Sequence, residues 1–379
     1  MHDAHTDENS LSLFAIVAVI LSFGLIMLGS ATAPIGAEKY GSAYYFLFRQ
    51  VVLGVIPGTV LFIALRQVSL TWWERSWKLM FALSIILLGL VFIPHLGARI
   101  NGSLSWIHIG SFTLQPAELV KFTFIAFLAG WLANNKKLLA RPFTEGLLLY
   151  LLYVVAICGM LLLQPDLGTA LVFFATAVVM AFIAGAEMNQ LGVLAAFGVG
   201  VVIVMVAIAP YRLERITVIF NPDKDPLGGG YHIKQSLIAI GSGGPLGLGF
   251  GNSRQKFQYL PEAGSDSIFA IIAEEMGFVI SGALIVAYFI LVLKGYALAR
   301  RVPSEWAKYF IIGTVSWIGV QVMLNIGAML AIVPLTGLPL PLVSHGGSSV
   351  MMTLAAFGVI SAIISPPEQM RVNARKKHI

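Results

Sequence analysis

Asp266 stands where a polar run ends and a long apolar one begins. The polar run, RQKFQYLPEAGS, covers 254–265, and the apolar run after it carries two more carboxylates, Glu274 and Glu275. Carboxylates at the mouth of an apolar helix are costly to hold in charged form, which makes them candidates for chemistry. A carboxyl near a low-dielectric boundary has a raised pKa and so works better as a general base near neutral pH. Asp266 is the candidate for that task. Arg254, Lys256, Phe257 and Tyr259 precede it as a basic and aromatic surface, with Lys256 a candidate ligand for a bound substrate.

Other polar residues lie in surroundings that should not hold them without a reason. Glu118 and Lys121 are three apart, so on a helix they share one face; they either neutralise each other and pin packing or line a polar cavity. Gln164 and Asp166 belong to the tight stretch QPDLGT, where Asp166 either caps the next helix or holds a substrate hydroxyl or a cation. Tyr211, Arg212 and Arg215 come just before a glycine-rich stretch. Paired guanidinium groups suit bidentate binding of a phosphate or pyrophosphate, although arginines also snorkel at interfaces. Ser344 and Ser348 lie in SHGGSS ahead of an apolar helix, an arrangement that offers backbone N–H groups to an anion or simply allows close helix packing. Trp106, among Asn101, Gly102, Ser105 and Gly110, is either a sugar-stacking surface or an interface belt residue. His232 and His345 have no metal-ligand spacing around them, and no Walker, dinucleotide or nucleophile-elbow motif is present. The single cysteine, Cys158, sits in an apolar run and reads as a small core hydrophobe.

The elements that must carry these residues are membrane helices. Of 379 residues, 58% are apolar and 11% charged, with a mean hydropathy of +0.86, whereas soluble domains have roughly 25% charged residues. Ten segments are apolar enough to span a bilayer: 11–31, 46–65, 78–94, 116–134, 145–163, 167–185, 190–209, 268–293, 309–333 and 346–365. The expected fold is therefore an all-α integral membrane protein with ten transmembrane helices. One large extracytoplasmic loop, 210–267, lies between helices 7 and 8. The first segment has no Lys or Arg before it and is long enough to span, so it reads as a retained helix rather than a signal peptide. Lys136, Lys137, Arg141, Arg300, Arg301 and the basic tail from Arg371 to Lys377 place both termini in the cytoplasm. No matched pair of broken helices suggests an inverted repeat. Within the long loop, Tyr231 to Ile240 has the spacing of a short amphipathic helix. The net charge of +6 is scattered over short loops, so nucleic acid is not an expected partner.

Taken together, five strings resemble the SEDS family, named for shape, elongation, division and sporulation. They are NGSLSWIHIGSFTLQPAELVK, QPDLGTA, YRLERI, PLPLVSHGGSS and the long loop from NPDKDPLGGGYHI to IIAEEMG. They occur in the family's order and cover nearly the whole chain. The form GNSRQKFQYLPEA is closer to the division branch than to the elongation branch. The resemblance implies a peptidoglycan glycosyltransferase that polymerises lipid II at the outer face of the bacterial cytoplasmic membrane, septal synthesis being the expected setting. Its implied partners are lipid II, polyprenyl-pyrophosphate-linked glycan, a class B penicillin-binding protein and other divisome proteins. It maps the family's essential aspartate onto Asp266 and its membrane pair onto Glu118 and Lys121, the three expected catalytic residues, its QPD aspartate onto Asp166, and its loop arginines onto Arg212 and Arg215. No cofactor is firmly implied, though a divalent cation, Mg2+ or Mn2+, is compatible with the chemistry. Gly264-Ser265, Ser105 and His345 stand where the family usually has His-Thr, arginine and tyrosine. Two alternatives are a lipid II flippase, or a non-catalytic scaffold for the transpeptidase.

Overall fold

A computed structural model describes residues 2–100, 102–109, 112–139, 146–208 and 210–364. The side chains of Lys136, Lys137, Tyr211 and Arg212 lie outside the described residues. So do Asn101, Gly110, Arg141 and the tail residues Arg371, Arg375, Lys376 and Lys377 in their entirety.

A helix lies over each of the ten apolar segments. The first is α1 (His2–Tyr40), and the second runs through α2 (Tyr45–Gln50), a π-helical turn at Val51–Val55 and α3 (Ile56–Arg66). After the short α4 (Leu70–Arg75) come α5 (Trp77–Leu90), a small sheet, α6 (Pro116–Leu139), α7 (Leu147–Leu163), α8 (Leu167–Ile183) and α9 (Met188–Ile208). The long connection holds α10 (Pro210–Phe220) and α11 (Gly229–Gly243), and the chain closes with α12 (Ile268–Ala299), α13 (Glu305–Met329) and α14 (Gly347–Ile364). Among the described residues, six helices are long and apolar enough to cross a membrane, and four shorter apolar helices accompany them.

Local chemistry sets several boundaries. Pro116 opens α6, where its missing N–H has no intrahelical partner to lose. Ser304 Oγ accepts from Ala307 N at 3.2 Å, so α13 begins at Glu305, ahead of the apolar run that marked it at 309. It also ends earlier than 333, and the left-handed Ala331 (φ 58°) follows its last turn.

α6 and α13 form the centre. In their most apolar windows 89% and 72% of residues are buried, against 17% for Tyr45–Arg66, and α13 packs on α6, α8 and α12. The outer helices show large apolar side chains outward, such as Val19 and Ile26 on α1 and Phe278, Val286 and Phe289 on α12, the reverse of a soluble bundle.

Two expectations need correction. The chain is mostly helical rather than all-α. β1 (Gly97–Ile100), β2 (Ser103–Ile109) and β3 (Phe112–Leu114) make an antiparallel sheet in the order β1-β2-β3, with Ile100 opposite Ser103 and Ile107 opposite Leu114. On β2, Ser105 and Ile107 are buried while Trp106 and His108 are more exposed, the alternation of a strand. The eighth apolar segment is also not one continuous helix. Gly277, at φ 73° and ψ −179°, breaks α12 just after the Glu274–Glu275 pair. The backbone groups freed there are taken up by the glycine-rich loop. Leu248 N donates to Glu274 O (3.0 Å), Gly249 N to Glu275 O (2.9 Å), and Phe278 N to Gly244 O (2.8 Å). A broken helix is tolerable at membrane depth only when protein satisfies it in this way. Close approach explains the glycines: a Cβ on Gly243 would lie 1.9 Å from Ala273 O, and one on Gly277 2.2 Å from Gly247 N.

Candidate active site

Asp266 lies in the tight turn Pro261–Ser267 that leads into α12, and it is 8% exposed. Its backbone is pinned on several sides. Asn325 Nδ2, from α13, donates to Asp266 O at 2.7 Å and to Leu338 O at 2.7 Å. Ser344 Oγ donates to the preceding carbonyl, Ser265 O, and His345 N donates to Gly264 O at 2.7 Å. α1 closes the remaining side: a Cβ on Gly264 would lie 2.3 Å from Thr32 Cγ2. Thr32 thus occupies the space that a side chain at 264 needs, which accounts for glycine at that position. Burial, reinforced by the nearby Glu262 carboxylate, pushes the Asp266 carboxyl up to about 7, while the Ser267 hydroxyl works in the opposite direction.

Glu118 and Lys121 are buried on α6 and paired, Nζ to Oε1 at 2.6 Å. Lys121 Nζ also donates to Gln321 Oε1 on α13 (2.9 Å), an atom that accepts from Trp317 Nε1 as well (2.9 Å). Gln321 Nε2 then donates to Pro339 O at 2.7 Å. Trp317, Gln321 and Asn325 are spaced by four and form one polar stripe on α13. That stripe joins the Glu118–Lys121 pair to the 338–344 segment and to Asp266. Sequence reasoning missed Gln321 and Asn325, although two amides one turn apart in an apolar helix were a legible signal. Glu118 Oε2 and Asn325 Oδ1 are buried with no protein partner.

Asp166 caps α8, with Oδ1 accepting from Thr169 N at 3.0 Å. Desolvation raises its pKa, the Thr169 contacts lower it, and Lys121 and Glu118 act on it with opposite sign. It therefore lies within electrostatic reach of the buried pair. Trp106 is half-buried on β2, opposite Ala98. Arg215 is exposed on α10, and Arg212 lies three residues before it on the same helix. Ser348 is half-buried in the first turn of α14.

Three candidate ligands turn out to be holding the protein itself. Lys256 is 5% exposed, and its ammonium donates to Glu275 Oε1 (2.8 Å), Gly251 O (2.6 Å) and Ser30 Oγ (3.1 Å), which uses all three of its protons. Gln164 is 1% exposed. Its Nε2 donates to Leu88 O at 3.0 Å, and its carbonyl receives Ser103 Oγ and Leu104 N, tying α5, α7 and β2 together. Ser344 is 2% exposed, and its hydroxyl accepts from Leu340 N at 2.7 Å while donating to Ser265 O. Each is committed because a polar group in an apolar interior must find a partner.

Glu274 and Glu275, singled out for their position, are likewise committed. Glu274 accepts from Ser253 Oγ, Arg254 N (3.1 Å) and Gln255 N (3.3 Å), and Glu275 accepts from Lys256, Ser30 Oγ and Ser253 N. The two carboxylates clamp the 251–256 loop onto the upper half of α12. Outside the clamp, an open depression of about 750 Å³ is lined by Gly251–Gln255, Phe257 and Tyr259. Asp266 is not among its lining residues.

These features define a polytopic helical membrane protein with a buried carboxyl, raised to about 7, on a turn pinned at the start of a broken helix. The chain belongs to the family of cell cycle proteins that comprises FtsW, RodA and SpoVE, whose family model matches residues 10–367. It is 40% identical to stage V sporulation protein E of Bacillus subtilis (strain 168) over 92% of this chain and 95% of that protein. It is 36% identical to the probable peptidoglycan glycosyltransferase FtsW of Aliivibrio salmonicida (strain LFI1238) over 93% of this chain and 88% of that one. Among solved structures, a chain of a peptidoglycan synthase complex that coordinates polymerization and crosslinking superposes with a TM-score of 0.77. The identity is 31%, over 93% of this chain and 97% of that chain. The rod shape determining protein RodA of Thermus thermophilus superposes with a TM-score of 0.68 and 30% identity, over 93% and 95% of the two chains.

Proposed function

We propose that this chain is a peptidoglycan glycosyltransferase that polymerises lipid II, with Asp266 as the general base. The observation that carries the reading is the placement of Asp266. Its carboxyl is buried and raised to about 7, and the backbone of its turn is held by Asn325 of α13 at Asp266 O, by Ser344 at Ser265 O and by His345 N at Gly264 O. A base poised near the working pH is what deprotonation of a sugar hydroxyl requires. Relatives named as glycosyltransferases of this kind support the substrate class.

On this reading the acceptor hydroxyl gives its proton to Asp266 as its oxygen bonds to the anomeric carbon of the donor. The bond from that carbon to the polyprenyl pyrophosphate breaks, and the pyrophosphate leaves with the electron pair. A single displacement inverts the anomeric centre. Arg212 and Arg215, three residues apart on α10, stabilise the charge gathering on the leaving group. The Asp266 carboxyl is covered in the conformation described, so substrate reaches it only when the 261–265 turn and its cover separate. A divalent cation would share the pyrophosphate charge when bound. Among the described residues no three or more His, Cys, Asp or Glu side chains come together to hold one, and no step above depends on it.

The membrane layout proposed with this function has ten spans, both termini inside and the 210–267 connection outside, with the active site at the outer face. The septal setting and a crosslinking class B penicillin-binding protein as partner belong to the same proposal. Likeness to a chain of a peptidoglycan synthase complex supports the partner. Asp266→Asn in purified protein supplied with lipid II should lower polymer formation by roughly 10²–10⁴-fold, the usual loss for a general base. Near wild-type polymerisation by that variant would remove the assignment. Lipid movement between leaflets without polymer would favour a flippase.

A further inference from the structure

The Ser267 hydroxyl has one proton and three neighbours. Its Oγ is 2.8 Å from Pro261 O, 2.6 Å from His232 Nε2 and 3.5 Å from Asp266 Oδ1. A carbonyl oxygen can only accept, so the hydroxyl proton lies toward Pro261. The short contact with His232 is then a hydrogen bond only if the proton between those two atoms sits on Nε2. Burial pushes the His232 imidazole down to about 4, so the ring is neutral and Nε2–H is its one donor. α11 packs against α12, which brings the ring to the turn. The placement is braced from below, because Ser236 Oγ bonds to His232 O at 2.9 Å and to Met329 Sδ of α13.

We infer that His232 is a positioning residue for Asp266, acting through Ser267. Its Nε2–H fixes the serine oxygen, so the hydroxyl proton can turn from Pro261 O toward the Asp266 carboxylate when that carboxylate forms. At 3.5 Å the second contact is longer than a made O–H···O bond, and at 2.8 Å the first is a good one. The serine therefore has a resting acceptor and a second acceptor that gains strength with charge. Once Asp266 has taken a proton from the acceptor sugar, the hydroxyl returns to Pro261 O. No proton leaves His232 in either state. Glu262 on the same turn acts on the carboxyl, and His232 reaches it from α11 through Ser267, whereas Asn325 of α13 and His345 bond the turn's backbone at Asp266 O and Gly264 O.

The inference rests on Asp266 being the base, and the test separates the two. Histidine-labelled wild-type protein in detergent is examined by ¹⁵N NMR, with His232→Gln used to assign the ring. The expected result is a neutral ring protonated on Nε2 at neutral pH. A ring protonated on Nδ1 overturns the inference whatever the activity shows. Initial rates of lipid II polymerisation are then followed against pH for wild type, Ser267→Ala, His232→Leu and His232→Gln. Ser267→Ala and His232→Leu should move the acid limb to higher pH by about half a unit to one unit, a roughly 3- to 10-fold loss on the limb. His232→Gln, whose amide can donate to Ser267, should recover most of the shift. Equal profiles for the Leu and Gln variants would overturn the inference. An active Asp266→Asn would sink the base assignment itself and leave the tautomer result standing.

Discussion

Asp266 and Glu262 are four residues apart on one turn, and the exposed Glu262 carboxylate helps hold the buried one in its protonated form. The sign of the pH dependence follows. The reactive form is the carboxylate, so turnover should rise with pH as Asp266 ionises around 7. Glu262→Gln removes the like charge, lowers the Asp266 pKa and moves the acid limb of the rate to lower pH. The expected shift is a fraction of a unit, about half at most, and added salt should shrink the difference because Glu262 faces solvent. Rate against pH at two ionic strengths checks it, and a shift in the other direction would contradict the placement. The sequence showed which carboxylates stood in an unusual place. It did not show which were already satisfied, because Glu274 and Glu275 find their partners only after the 251–256 loop folds back and α1 brings in Ser30.

Lys256 illustrates the same limit for an element. A lysine in a basic and aromatic run reads as a ligand, yet its contacts come from α1, α12 and its own loop. Lys256→Met should leave the Glu275 carboxylate buried and unpaired, which costs about 3–5 kcal/mol of stability. Lys256→Met with Glu275→Gln should recover most of that loss. Thermal unfolding in detergent measures both. A single variant that keeps its stability and loses only substrate affinity would restore Lys256 as a ligand. Helix positions were legible because apolar runs of sufficient length say where a bilayer can be crossed. The break at Gly277 was not, since a glycine after two glutamates in an apolar run reads equally well as close packing. The sheet of β1, β2 and β3 was not legible either, since the adjacent apolar pair Trp106-Ile107 breaks the strict polar and apolar alternation of a strand along 103–109.

Across the whole molecule, the Glu118–Lys121 pair and the Asp266 turn are coupled through α13. Gln321 carries the contact to Pro339 O, and Asn325 carries it to both Leu338 O and Asp266 O. Asn325→Leu should leave those two carbonyls without a donor inside the protein, each costing roughly 1–3 kcal/mol if no water replaces it. Polymerisation should fall along with stability, while Asn325→Asp, with its amide donor gone, should rescue neither. Unfolding and polymerisation measured together test this, and a fully active, fully stable Asn325→Leu would show that the stripe does not hold the turn. The sequence assigned Glu118 and Lys121 to one helix face but did not show that Gln321 receives Lys121, because that contact spans two hundred residues of chain.

The stitching between 244–249 and the break in α12 has a consequence for dynamics. Glycine-rich connections usually exchange their amide protons with solvent in seconds or faster, as loose segments do. Here Gly247, Leu248, Gly249, Phe278 and Val279 donate to fixed carbonyls, so their deuterium uptake should be as slow as that of the neighbouring helices. Rapid labelling of those five amides would mean that the upper half of the helix and the glycine loop part company on their own.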